Sequence, residues 1–246
     1  WWSAIITSLL NVFNSDNGTI SNCIVTVDTV KGTSSVGGVV GILYSGTLAK
    51  SGAKTHVTGK NSVGGVIGNI AINSIQSAVY IQEVVANVQI IGNNDVGGLI
   101  GNIETIANAK LEIANSYSLG AITGTHTNGG GLVGRIATVG SANIEFRDSY
   151  TALDILEKAI TSGGCIGYTD IAVTSTVIFS DCFWEKDLAP GEQLGDVGAR
   201  KQDTFMLSFD DKTYDEMRIR NTFANWDLDI WGFSERNTTP YLLWEI

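Results

Sequence analysis

Several kinds of protein are excluded by what this sequence holds little of. Charge is sparse, at 16% of 246 residues, and the balance is acidic, with a formal net charge of −10. An electrostatic nucleic-acid binder needs clustered lysine and arginine, so that class is excluded. No apolar run reaches the roughly 18 residues that a membrane-spanning helix requires. The three cysteines, Cys23, Cys165 and Cys182, are an odd number without Cys-x-x-Cys spacing and without a neighbouring histidine, so no zinc site is implied. The 29 glycines follow no three-residue period, which excludes collagen, and 43% hydrophobic residues with six tryptophans exclude disorder. The chain opens at Trp1 without a methionine, and the apolar stretch 1–13 has no basic leader, which reads as a processed or cut chain.

What is abundant is repetition. Five segments share one pattern: Val36-Gly-Gly-Val-Val-Gly41, Val63-Gly-Gly-Val-Ile-Gly68, Val96-Gly-Gly-Leu-Ile-Gly101, Gly129-Gly-Gly-Leu-Val-Gly134 and Ser162-Gly-Gly-Cys-Ile-Gly167. Their first shared glycines are Gly37, Gly64, Gly97, Gly130 and Gly163, which fall at equal intervals from Gly64 onward after a shorter first interval. At one fixed distance before each stands a second column, Cys23, Lys50, Glu83, Ser116 and Ser149, which Cys182 continues. Three residues earlier stand Ile20, Thr47, Tyr80, Ile113, Phe146 and Phe179; one residue later stand Ile24, Ser51, Val84, Tyr117, Tyr150 and Phe183. The short first interval loses its residues between Gly41 and Lys50, which places a variable turn there.

Short β-rich runs separated by Gly, Asn, Ser and Asp, two or three per repeat, describe a coil of a parallel β-solenoid. Gly32, Gly59 and Gly92 share a position, as expected of a turn needing positive φ. The expectation is an all-β, right-handed parallel β-solenoid of about six coils, with Ser3-Ala-Ile-Ile-Thr7 as a worn first coil. Residues 1–180 form the solenoid. Residues 181–246 form a C-terminal cap: charge rises there to 21 charged residues in 66, and Trp184, Trp226, Trp231 and Trp244 concentrate there. Thr213-Tyr-Asp-Glu216 has capping-box spacing, which predicts a short helix at about 213–220, followed by an aromatic segment closing the open coil.

The Gly-Gly-(Leu/Val)-(Ile/Val)-Gly segments, with Asn115-Ser-Tyr117 and Asp148-Ser-Tyr150 at fixed distance, resemble the GLUG-motif repeats of bacterial surface proteins. The tail resembles the module that often ends such arrays: Cys182-Phe-Trp184, Tyr214-Asp-Glu-Met217, Thr222-Phe-Ala-Asn-Trp226-Asp, Trp231-Gly and Pro240-Tyr-Leu-Leu-Trp244. The pairs at Lys50 and Glu83 depart from the Ser-Tyr pattern, and Ser162-Gly-Gly-Cys165 is altered. The resemblance implies a secreted or surface-displayed β-solenoid, often part of a longer adhesin-like protein or multidomain enzyme, and carries no catalytic residues.

Candidate chemistry is thin beside this architecture. Asp148 and Asp181 share a repeat position, so two carboxylates in adjacent coils could serve acid–base work on a glycoside; polar turn residues bonded to backbone are the ordinary reading and the preferred one. His56 and His126 fall at different positions without acidic or cysteine partners in register and read as surface residues. Asp210-Asp211 with Asp215-Glu216 lacks a calcium-loop pattern. The four C-terminal tryptophans suit either a sugar-stacking platform or, preferably, the core of a small cap. No disulfide is expected. Asn17 and Asn237 match the N-glycosylation acceptor pattern.

No catalytic, cofactor-binding or metal residue is therefore assigned, and no cofactor is expected. The reading is a non-enzymatic extracellular or cell-surface structural or adhesion module within a larger protein. A filament or appendage subunit, and a carbohydrate-binding or carbohydrate-cleaving β-helix protein, stand as alternatives. Its partners would be a protein or glycan receptor, or further copies of itself through the N-terminal coil, with no nucleic acid and no membrane insertion.

Overall fold

The computed structural model describes residues 18–188 apart from 76, 107 and 157–160, then 197–201, 209–234 and 236–245, and the backbone of 5–6 and 11–13. The chain is nearly all β, wound into a parallel β-solenoid with three faces. One face is a 13-stranded sheet whose long strands, Gly46–Thr58 and Ala78–Ile91, divide in later coils into pairs such as Lys110–Ala114 and Tyr117–Thr123. A second face holds the glycine segments, Ser34–Gly37, Asn61–Gly64, Asn94–Gly97, Asn128–Gly130 and Thr161–Gly163. A third carries seven strands, from Asn11–Phe13 to Val197–Arg200. All pairings between coils are parallel.

Five rungs on the glycine face enclose four full turns, with partial coils on either side, so the column is about four turns rather than the expected six. The worn first coil is also placed differently. Ile5–Ile6 pairs with Thr29–Val30 on the long face, not with the glycine face, and Asn11–Phe13 supplies the third face. Trp1, Trp2 and Asn17 lie outside the described residues.

The glycines are explained by how closely the coils pass. A Cβ on Gly64 would stand 2.0 Å from the carbonyl oxygen of Ile67 and 2.6 Å from the backbone nitrogen of Gly101 in the next coil; one on Gly65 would stand 2.1 Å from the Gly98 carbonyl. No side chain fits against backbone at such distances, and this steric demand recurs in every coil. Gly32, Gly59 and Gly92 answer a different one. They do not have positive φ; a Cβ there would meet the methyls of Val36, Val63 or Val96 at 2.6–2.8 Å, so glycine makes room for a buried valine. Left-handed backbone is taken by Ser35, Ser62 and Asp95 instead.

Inside, Leu48, Ile81, Ile113, Phe146 and Phe179 stack in one column, with the rings of Phe146 and Phe179 4.5 Å apart. A second internal column runs Ala53, Ala86, Ser118, Thr151, Trp184, and the Trp184 ring lies where a Cβ on Gly164 would be. Apolar side chains buried at every rung drive stacking, because an isolated coil has no partner for either open edge. At the corner between faces, amide and hydroxyl side chains form ladders. Asn94 donates to Asn61 at 2.7 Å, Thr127 donates to Asn94 at 2.7 Å, and Thr161 donates to Asn128 at 2.6 Å.

Candidate functional site

The long face bends at one residue per coil, and each of these residues is left-handed: Asn22, Lys50, Glu83, Asn115, Asp148 and Asp181, with φ between 45° and 55°. Asn and Asp tolerate this conformation, while Lys50 and Glu83 are unusual in it. The register therefore differs by one residue from a count made backward from the glycines. Lys50 and Glu83 align with Asn22 and Asn115, and not with Cys23 and Ser116. The residue after each bend is small in most coils. Ser51, Ser116 and Ser149 donate to the carbonyls of Ala49, Ala114 and Arg147, and Cys182 donates its thiol to Ser180 in the same way. Burial pushes the Cys182 thiol up to about 12. Cys23, Cys165 and Cys182 form no disulfide with one another.

Two residues beyond each bend, an outward column runs Ile24, Gly52, Val85, Tyr117, Tyr150, Phe183. Outward aromatics on a solenoid need a cover, and the C-terminal module supplies it. Met217, Phe223, Trp226, Trp231 and Leu242 pack on Val85, Tyr117, Tyr150 and Phe183 as a second core, separate from the interior of the column. Val197–Arg200 and Phe209–Lys212 add a rung to the end of the column, and the described residues from Met217 onward lie along the flank. Their path runs back against the stacking direction, and three indole N–H groups fasten them to the bends. Trp226 Nε1 donates to the Asp181 carbonyl at 3.1 Å, Trp231 Nε1 to Asn115 Oδ1 at 3.0 Å, and Trp244 Nε1 to the Glu83 carbonyl at 3.2 Å. Tyr150 Oη donates to the Pro240 carbonyl at 2.6 Å, and Tyr117 Oη to Glu245 at 2.7 Å. Burial raises both phenols far above their ordinary range, so they act as neutral donors.

The expected helix at 213–220 is replaced by two 3₁₀ turns, Glu216–Arg218 and Arg220–Phe223. The capping pair does form: Thr213 N donates to Glu216 Oε2 at 2.8 Å, and Glu216 N donates to Thr213 Oγ1 at 3.3 Å. Two short turns place Met217 and Phe223 on the flank, where burial outweighs helix continuation.

Asp148 and Asp181 do stand at one position in adjacent coils, but each is engaged in other contacts. Asp148 pairs with Arg147 at 3.5 Å, and Asp181 accepts from Asn225 at 3.1 Å while its backbone carbonyl holds Trp226. Burial, with help from Asp181 and Asp227 and against Arg147, raises Asp148 above the ordinary carboxylate range. His126 departs from expectation: it is buried, with Nδ1 2.8 Å from the Gly124 carbonyl and its ring in the space a Cβ on Gly129 would need. One extra residue in the turn 124–126, relative to the coil before, folds it inward. His56 is exposed, with Nδ1 3.0 Å from the Asp28 carbonyl. Asp210 and Asp211 face Lys212 and Lys186, and among the described residues no group of three or more His, Cys, Asp or Glu side chains gathers to hold a metal. Asn237 is exposed.

Trp244 lies at the rung of Glu83, and the next two positions of the outward column are Gly52 and Ile24. There a groove of about 520 Å³ opens, lined by Ile24, Lys50, Gly52, Lys54, Asn87 and Trp244 among others. Ile24 is 50% exposed on its floor. Of the four tryptophans weighed as a sugar platform, Trp184, Trp226 and Trp231 are buried, and Trp244 alone is half-buried at this groove. Charge is distributed unevenly around it. Residues 18–82 carry four lysines, Lys31, Lys50, Lys54 and Lys60, against the single carboxylate of Asp28, whereas residues 83–246 hold 11 basic and 23 acidic side chains.

No family model matches the chain, and no curated protein matches it. Among solved structures, the chain is similar to a Bacteroides ovatus protein provisionally called an immunoglobulin A1 protease, with a TM-score of 0.61 and 17% identity over 94% of this chain and 76% of that one. At that identity the likeness is one of fold.

Proposed function

We propose that this chain is a non-enzymatic module of the GLUG-motif type, a stiff column that spaces or displays parts of a larger extracellular or cell-surface protein and takes part in adhesion. The observation that carries this reading is the flank clasp. Three tryptophans tie bends at residues 83, 115 and 181 to one returning segment, so coils that would otherwise separate one by one are held as a unit. The recurrent polar side chains support it, because they are engaged coil to coil in ladders rather than presented together to a substrate.

The name of the structural neighbour raises proteolysis as the rival. Incubating the chain with immunoglobulin A1 and following the heavy chain by gel should leave it intact; cleavage, abolished by heat inactivation of the chain, would overturn the non-enzymatic reading. Light scattering across a wide concentration range should give a mass near 26.1 kDa. Mass growing with concentration would favour a filament subunit instead.

A further inference from the structure

The groove beside Trp244 continues the stripe that Met217, Phe223, Trp226, Trp231 and Leu242 cover at Val85, Tyr117, Tyr150 and Phe183. Its floor belongs to the same outward column as Tyr117 and Tyr150, and the residues differ in a way that makes a recess. Gly52 carries no side chain where Tyr117 and Tyr150 carry rings, and Val85 Cγ1, 2.5 Å from where a Gly52 Cβ would stand, takes the space beside it. Trp244 forms the wall at the module's end of the groove, held in orientation by its N–H bond to Glu83. Ile24, half exposed, lies on the floor of the same groove. One flat aromatic and one aliphatic surface over about 520 Å³ suit a ligand of one or two small rings.

The polar lining selects its charge. Lys50 stands at a bend, 50% exposed and 3.8 Å from Glu83, and Lys54 forms no ion pair among the described residues. Among the lining residues Glu245 carries a carboxylate, occupied by the Tyr117 hydroxyl and the Leu242 N–H, and the Glu83 carboxylate beside the groove meets Lys50 alone among the described residues, at a distance too long for a hydrogen bond. Two ammonium groups in the net-positive part of an acidic protein favour an anion, and Asn22 and Asn87 add amide donors and acceptors beside them.

An acidic peptide fits less well. The carboxylates of such a peptide stand on flexible side chains without a flat face for Trp244, whereas a uronic acid carries its carboxylate on a ring that can lie against the indole. We propose that the groove binds a carboxylated saccharide of the hexuronate class. One sugar ring lies against Trp244 and Ile24, its carboxylate bonds to Lys50 and Lys54, and its hydroxyls reach Asn22 and Asn87. This inference deepens the adhesion reading above by naming the class of receptor, and it rests on that reading for its biological sense.

The test is calorimetric titration of the full chain with tetragalacturonate at low salt, alongside its methyl ester and hexaglutamate. Tetragalacturonate should bind, the neutral ester should not, and hexaglutamate should bind at least tenfold more weakly. Loss of one charge-assisted bond in Lys54→Gln, an exposed site that leaves the fold alone, should weaken binding by about tenfold. Lys50→Gln should do likewise, and raising salt should weaken the wild type but not the double variant. Absence of tetragalacturonate binding, equal binding of the ester, stronger binding of hexaglutamate, or unchanged affinity in Lys54→Gln would each overturn the proposal. The column reading is judged separately, by immunoglobulin cleavage and light scattering on the same preparation.

Discussion

The bond between Trp231 and Asn115 offers the sharpest test of the clasp. Trp231 is 1% exposed, its ring centroid lies 4.3 Å from that of Trp226 and 5.9 Å from that of Tyr117, and its indole N–H donates to a side chain itself 6% exposed. Trp231→Phe keeps most of the apolar ring but strands the Asn115 oxygen, a loss of ~1–3 kcal/mol, and the smaller ring leaves space costing about 1 kcal/mol more. Asn115→Gly suits the left-handed bend and strands the indole N–H instead, at ~1–3 kcal/mol. With both changes neither group is stranded, so the double variant should be more stable than the two losses added together, with a coupling of ~1–2 kcal/mol. Urea unfolding of the four proteins, followed by near-ultraviolet circular dichroism, measures it. A coupling below ~0.5 kcal/mol, the range of unconnected sites, would refute the claim that this bond fastens the module.

Two further expectations follow from the coil geometry and from buried charge. Gly64→Ala places a Cβ against backbone of its own and the next coil and should yield no soluble folded protein, whereas Gly32→Ala meets only a Val36 methyl at 2.8 Å and should cost under ~1.5 kcal/mol; a Gly64→Ala melting temperature within a few degrees of wild type would contradict the steric account. Burial raises Asp148, Asp154 and Glu185, so the folded chain binds their protons more tightly than the unfolded chain, and stability should rise as pH falls through those raised values toward the ordinary carboxylate range. Asp211, lowered chiefly by its bond to Lys186, and Glu216, lowered chiefly by the Thr213 N–H, work in the opposite sense, and their contribution is lost only below that range. Thermal melts stepped downward from neutral pH should therefore pass through a maximum, and Asp148→Asn should flatten the rise toward it; a melting temperature that falls steadily from neutrality would be inconsistent with these shifts.

The solenoid was legible because its cause is local and repeated: three glycines per coil where backbones touch, and an apolar residue at fixed phase. The bends were not, because the interval from bend to glycine is one residue shorter at Lys50 and Glu83 than at Asn22, Asn115 and Asp148, and a fixed count slides past the difference. Two residues whose types do not suggest left-handed backbone hid a column that Asn22, Asn115, Asp148 and Asp181 would otherwise have announced. That one-residue slip also concealed the outward stripe, by putting Ser51 and Val84 where Gly52 and Val85 belong. Without the stripe, the aromatic tail had no visible target except the open end. The groove beside Trp244 exists only once the tail is laid along the flank, so no spacing in the sequence leads to it. His126 was hidden for a simpler reason, since a single inserted residue decides whether a turn side chain points in or out.

The order in which the clasp is made has a consequence for biosynthesis. Trp244 reaches back to Glu83 across most of the column, and the segment that covers Tyr117, Tyr150 and Phe183 leaves the ribosome after every coil it fastens. A nascent chain completes its coils with that aromatic stripe bare, and during this interval it is open to neighbours and to chaperones. The segment 213–246 thus acts as the column's own late-arriving escort, turning a sticky intermediate into a finished surface only once it has itself been made.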